Sequence, residues 1–173
     1  RPDIVLFVNG IPLWVIECKA PSEAVMQAQT QNIRNQNEEY IPHLFVYAQI
    51  LFAVNKNEAK YATVGTVNKF WSVWKELCEE KDEQRSYDSA LLKAVQTDFS
   101  ADDAHAAAES LEIRVSDIPS CAERTPTEQD RTLFSLCRPE RFLELIRGYT
   151  LFDGGDKKIA RYQQYFVTKS TIE

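Results

Sequence analysis

Two apolar runs open the chain, over residues 3–8 and 11–18, with Asn9-Gly10 between them. That dipeptide tolerates the positive φ angles of a tight turn, so the pattern predicts two antiparallel strands. Both runs are rich in Val, Ile, Leu and Phe with few polar interruptions, which predicts a sheet covered on both faces. Pro21-Ser22 stops the second strand and caps a helix over 23–40. This helix is glutamine-rich, and Gln27, Gln31, Arg34, Asn35 and Glu38 share one of its faces by i+3 and i+4 spacing. Turned inward, that face, Arg34 included, would hold the Lys19 ammonium and a DNA backbone; composition alone favours a solvated face.

Further along, 43–48 reads as a turn of helix after Pro42. Residues 50–54 and 60–64 read as a second hairpin that adds two strands to the sheet. The run 69–77, with Phe70, Trp71 and Trp74, fits an edge strand or a short helix, its tryptophans reading as core. From Cys78 the run CEEKDEQRSYD reads as a solvated connection. Residues 90–96 and 103–111 look helical. Thr127 caps a helix running to Cys137, and Pro139 opens another whose Phe142, Leu143, Leu145 and Ile146 form one apolar stripe. The last segment, 152–173, contains Gly154-Gly155 and continues as a helix, with Ile159, Tyr162, Tyr165 and Phe166 spaced to dock on a core.

At 173 residues, with 44% hydrophobic and 11% aromatic residues, the chain can bury a substantial core and is not a disordered type. A formal net charge of −6 argues against a generic DNA-binding surface without excluding a local one. Cys18, Cys78, Cys121 and Cys137 include no C-x-x-C pair, and His43 and His105 have no partner at ligand spacing. Zinc is therefore disfavoured and reduced cytoplasmic thiols are expected. Asp102, Asp103 and Glu109 lack the spacing of a calcium loop. No signal peptide and no run long enough to span a membrane is visible.

The candidate chemistry lies at the open end of the first hairpin. Asp3 begins one strand, while Glu17 and Lys19 end the other and, being two apart, project from one face. Two carboxylates and an ammonium beside an apolar sheet are costly to bury without a role. Hard cations take carboxylate oxygens, so Asp3 and Glu17 are candidate Mg²⁺ ligands, with the Cys18 backbone carbonyl as a third. Lys19 would then orient water and offset charge on a scissile phosphate. A surface hairpin ending in an ordinary Glu–Lys pair has the same residues.

Pro2-Asp3, followed after thirteen residues by Glu17-Cys18-Lys19, resembles the PD-(D/E)XK nuclease signature. The longer run RPDIVLFVNGIPLWVIECKAP resembles the nuclease domain at the N-terminal end of the restriction (R) subunit of type I restriction–modification enzymes. The likeness continues through YIPHLFVYAQILFAVNKNEAKYATVGT and returns near the C-terminal end. It implies that Asp3, Glu17 and Lys19 are catalytic. It also implies that a QxxxY motif lies on the following helix: Gln36 and Tyr40 match it literally, whereas counting from Glu17 places the glutamine at Gln31 and puts Asn35 where the tyrosine would be. The family hairpin is preceded by a helix and a strand, the helix often supplying another acid, so the chain is expected to be a fragment. In the family a run similar to KKIARYQQYF leads into a helicase-like motor, with Gln163 and Gln164 near its nucleotide. No G-x-x-x-x-G-K-[ST] loop is present, which leaves ATP to that absent motor.

The resulting expectation is an α/β, restriction-endonuclease-like fold: a mixed central sheet containing the hairpin, flanked by helices, with a helical C-terminal extension. Residues 1–77 would form the nuclease core, 78–151 a helical region, and 152–173 a linker helix. The expected activity is Mg²⁺-dependent hydrolysis of double-stranded DNA in the cytoplasm. It would be coupled, as the resemblance implies, to ATP-driven translocation and to methylation and specificity subunits. The alternatives are an exonuclease or repair nuclease serving another helicase, and a non-catalytic scaffold of the same fold.

Overall fold

The computed structural model describes residues 1–172; Glu173, the last residue of the expected linker helix, lies outside the described residues. The described chain forms two compact units. The first combines residues 1–77 with the segment from 127 onward, and the second is residues 78–126. Residues 127–151, grouped by their helical pattern with the middle of the chain, therefore pack in the first unit.

The first unit is built on a four-stranded sheet in the order β1 (Ile4–Val8), β2 (Ile11–Cys18), β3 (Ile50–Val54), β4 (Ala59–Ala62). Asn9 and Gly10, at φ of 50° and 78°, make the predicted turn between the first two strands. β2 pairs antiparallel with β1 and parallel with β3, and β3 pairs antiparallel with β4, so the sheet is mixed. A parallel pair needs a crossover, supplied here by α1 (Val25–Asn35) and the short α2 (Pro42–Phe45). Every residue of β3 is buried, as expected of an interior strand. β1 is different: among the described residues it forms one edge, and Ile4, Phe7 and Val8 are exposed.

Alternation along the strands divides the core in two. On one face Val15, Leu51, Ala53 and Ala62 meet Val25 and Ala28 of α1, with Trp71. On the other, Trp14, Ile16, Ile50, Phe52 and Tyr61 meet Trp74 and the residues Leu136, Phe142, Leu145 and Tyr165. These come from α5 (Glu128–Cys137), α6 (Pro139–Gly148) and α7 (Tyr162–Ile172). Thr127 and Asp130 form a reciprocal capping box at the start of α5, and Pro139 occupies the first turn of α6. Trp14 packs on Phe142 with ring centroids 4.2 Å apart, and Tyr61 donates a hydrogen bond to the Ala160 carbonyl, 99 residues away. Both tryptophans expected in the core are there, on opposite faces of the sheet.

α1 is shorter than the expected 23–40 and starts after Ala24, with no side-chain cap; two further segments also differ from expectation. Residues 156–159 are strand, not helix: β5 (Thr150–Asp153) and β6 (Asp156–Ile159) form a hairpin across Gly154-Gly155, whose φ values of 61° and 92° favour glycine. In the second unit the charged run after Cys78 is mostly α3 (Lys81–Gln96), whose Leu91 and Val95 are buried. Its Asp82 and Glu83 favour the helix N-terminus and Lys93 the last turn, so charge supports the helix there. α4 (Ala101–Leu111) completes that unit, capped by Ser100. Among the described residues no helix is long and apolar enough to cross a membrane.

Candidate active site

A β-bulge decides where the acids meet. Val8 pairs with Ile11 and Phe7 with Pro12, but Leu6 pairs with Trp14, so Leu13 is an extra residue on β2. Beyond it Val5 faces Val15 and Ile4 faces Ile16, and extending that register by one residue sets Asp3 opposite Glu17. Without the bulge Asp3 would face Ile16 and its side chain would leave the face that carries Glu17. Asp3 is anchored there by its Oδ2, which accepts from the Cys18 backbone N–H at 2.7 Å.

Glu17 points to the α1 face of the sheet and is fully buried. Both of its oxygens accept from amides of that helix: Gln31 Nε2 donates to Oε2 at 2.5 Å, and Asn35 Nδ2 donates to Oε1 at 2.9 Å. The other end of the Gln31 amide accepts from Lys19 Nζ at 2.7 Å. One glutamine thus spans the acid and the ammonium, and four residues later an asparagine on the same face closes on the acid. Burial, followed by the negative charge of Asp3 and a hydrogen bond with it, pushes the Glu17 carboxyl up to about 7, against the opposing pull of Lys19. A carboxyl so placed binds either a proton or a cation in its place. Burial and the charges of Asp3 and Glu17 also push the Cys18 thiol up, which disfavours its thiolate and leaves the backbone as its polar contribution.

The structure thus brings together Asp3, Glu17, Lys19, Gln31 and Asn35. It does not bring Gln36 or Tyr40 to them. Gln36 lies just past the end of α1, where Nε2 donates to the Asn32 carbonyl and Oε1 accepts from the Gly65 N–H. Tyr40 is half-exposed and lies under the guanidinium of the exposed Arg34, 5.1 Å from ring centroid to Cζ. Of the face expected on composition to be solvated, Gln27 and Arg34 are exposed, whereas Asn35 is buried. Sequence reasoning did not single out Asn32, which is buried and donates to the Phe52 carbonyl at 2.9 Å, seating α1 on β3. Its signal was available: an asparagine four residues after Ala28, on the helix stripe that meets the sheet. His43 is exposed, as a surface residue should be.

Among the described residues no group of three or more His, Cys, Asp or Glu side chains gathers as a metal cage. The convergent carboxylates of Asp3 and Glu17 are hard oxygen donors. That set fits Mg²⁺, which keeps much of its water, better than zinc, which prefers nitrogen and sulfur.

Residues 1–70 match the family described as type I restriction enzyme R protein N terminus. Over its whole length the chain is similar to endonuclease subunits of type I restriction enzymes. It is 24% identical over 177 residues to the putative MjaIXP endonuclease subunit of Methanocaldococcus jannaschii, covering 100% of this chain and 14% of that protein. It is 27% identical over 178 residues to the HindI endonuclease subunit of Haemophilus influenzae, covering 99% and 13% respectively. The chain therefore spans about one-seventh of the length of the relatives it matches. The family match spans the hairpin, α1 and the β3–β4 pair, the elements that carry all five convergent side chains.

Proposed function

We propose that this chain is a PD-(D/E)XK nuclease domain of a type I restriction subunit, hydrolysing phosphodiesters of double-stranded DNA with Mg²⁺. The observation that carries the reading is the convergence of Asp3, Glu17 and Lys19, with Gln31 hydrogen-bonded to both members of the Glu–Lys pair. An incidental Glu–Lys pair at a strand end would be exposed, whereas Glu17 is fully buried with both oxygens engaged. Asp3, Glu17 and the Cys18 carbonyl would hold the cation. When bound, Mg²⁺ supplies concentrated positive charge beside the phosphate and acidifies water.

The chain's own residues do the rest. Lys19 is held at one hydrogen by Gln31, leaving its others to orient the attacking water and to meet charge developing on the phosphate oxygens. Asn35 and Gln31 hold both oxygens of Glu17, so its position is set before substrate arrives. Water attacks phosphorus, and the P–O bond to the leaving oxygen breaks. In the intact protein this cutting would be coupled to an ATP-driven motor and to methylation and specificity subunits, in the cytoplasm.

The test is Lys19→Ala in the full-length protein with its partner subunits. DNA cleavage should disappear while ATP hydrolysis persists. Cleavage that survives the substitution removes the assignment.

A further inference from the structure

Beside Lys19 the outer side of α1 borders an open groove of about 410 Å³, lined by Lys19 from the strand and by Met26, Gln27, Thr30, Gln31 and Arg34 along the helix. The chain carries 26 acidic residues against 20 basic ones, yet this lining has two cations and no carboxylate. The groove takes in the ammonium of Lys19 and the Gln31 amide that ties it to Glu17, so one glutamine joins groove and acid. Arg34 lies three residues past Gln31, about 4.5 Å along a helix axis. The Arg34 guanidinium rests over the Tyr40 ring, which holds its plane and leaves its N–H edge for an acceptor.

We propose that this groove seats the backbone of one DNA strand next to the scissile phosphate, with Arg34 contacting the neighbouring phosphate. The inference rests on the nuclease reading for its substrate, and it assigns Arg34 a backbone contact that carries no sequence information. Gln27 and Thr30 add uncharged polar groups along the same track. An exposed arginine over a half-exposed tyrosine has no packing task in the fold, so its replacement leaves the core intact.

The experiment measures binding of a labelled DNA duplex to the full-length protein in Ca²⁺, across about 50 to 200 mM salt. Arg34→Ala should weaken binding equally for unrelated sequences and make the slope of log K against log salt shallower by about 0.9. Arg34→Lys should restore that slope, because one charge is enough for counterion release. Arg147→Ala serves as control, since it removes an exposed cation from α6, which packs on the opposite face of the sheet from α1. An unchanged slope in Arg34→Ala, or an equal change in Arg147→Ala, overturns the groove. Neither result touches the nuclease reading, which stands or falls on cleavage by Lys19→Ala.

Discussion

Asn35 donates from Nδ2 to Oε1 of Glu17 across 2.9 Å, and both side chains are buried. The donor sits in the last turn of α1 and the acceptor near the end of β2, so the bond ties the helix to the strand at the acid itself. Asn35→Leu removes the donor and nothing replaces it, leaving a buried carboxylate with one partner fewer. Stability above neutral pH should fall by about 1–3 kcal/mol, and affinity for Mn²⁺ by about tenfold or more. Urea unfolding and a Mn²⁺ titration read the two effects. Wild-type metal affinity in a destabilised variant would leave Asn35 a packing residue only.

The raised Glu17 carboxyl sets a pH dependence with a definite sign. The folded chain keeps this proton up to about pH 7, while the unfolded chain releases it near 4.5, so between those values the folded state binds more protons. Stability of the metal-free protein should therefore fall as pH rises through that window and level off above it, a loss of roughly 3 kcal/mol at 1.36 kcal/mol per pH unit. A cation needs the ionised form, so saturating Mg²⁺ should raise the melting temperature strongly at about pH 8 and little at about pH 5. Equal Mg²⁺ stabilisation at both pH values would mean that no proton leaves on binding.

On the other face of the sheet, Glu76 and Arg141 form a two-pronged ion pair at 2.7 and 3.2 Å, each side chain only 11% exposed. Trp74 Nε1 adds a third hydrogen bond to the same carboxylate. Burial alone would push Glu76 up, but the hydrogen bonds from Arg141 and Trp74 and the Arg141 charge outweigh it and hold the carboxyl below its ordinary range. Its contribution is thus present above about pH 4.5 and is lost as pH falls through the lowered value. Arg141→Ala should destabilise by about 3 kcal/mol, because it removes both prongs from the acid and leaves it the Trp74 bond and Arg138 at 3.6 Å as partners. The double change Arg141→Met with Glu76→Leu should cost much less. Thermal melts of both variants decide, and equal losses would show that the stacking of Arg141 on Trp74 and Tyr165 matters more than its charge.

Much of this was legible from residue pattern. Asn9-Gly10 announced its turn, Pro139 its helix start, and the apolar run 50–54 its buried strand. The open end of the first hairpin also showed which three charged groups would lie near each other. What pattern did not show was the extra residue at Leu13, because a bulge has no composition of its own, and that one residue sets the face on which Asp3 lands. The glutamine-rich helix was opaque for a related reason. Polar side chains read as solvated until a buried acid gives Gln31 and Asn35 something to hold. Gly154-Gly155 fits a two-residue turn and a helix boundary equally well, so its residues alone do not announce the β5–β6 hairpin.

The discontinuous first unit has a consequence for how the molecule is made. A ribosome releases the N-terminal portion first, and the side of the sheet that carries Val15 and Leu51 can be roofed by α1 soon after residue 71 emerges. Trp14, Phe52 and Trp74 have no such early roof, since their covering residues run from Leu136 to Tyr165. Until the segment from Leu136 to Tyr165 has emerged a nascent chain displays a bare aromatic wall, and it is there that a chaperone would bind and aggregation would start.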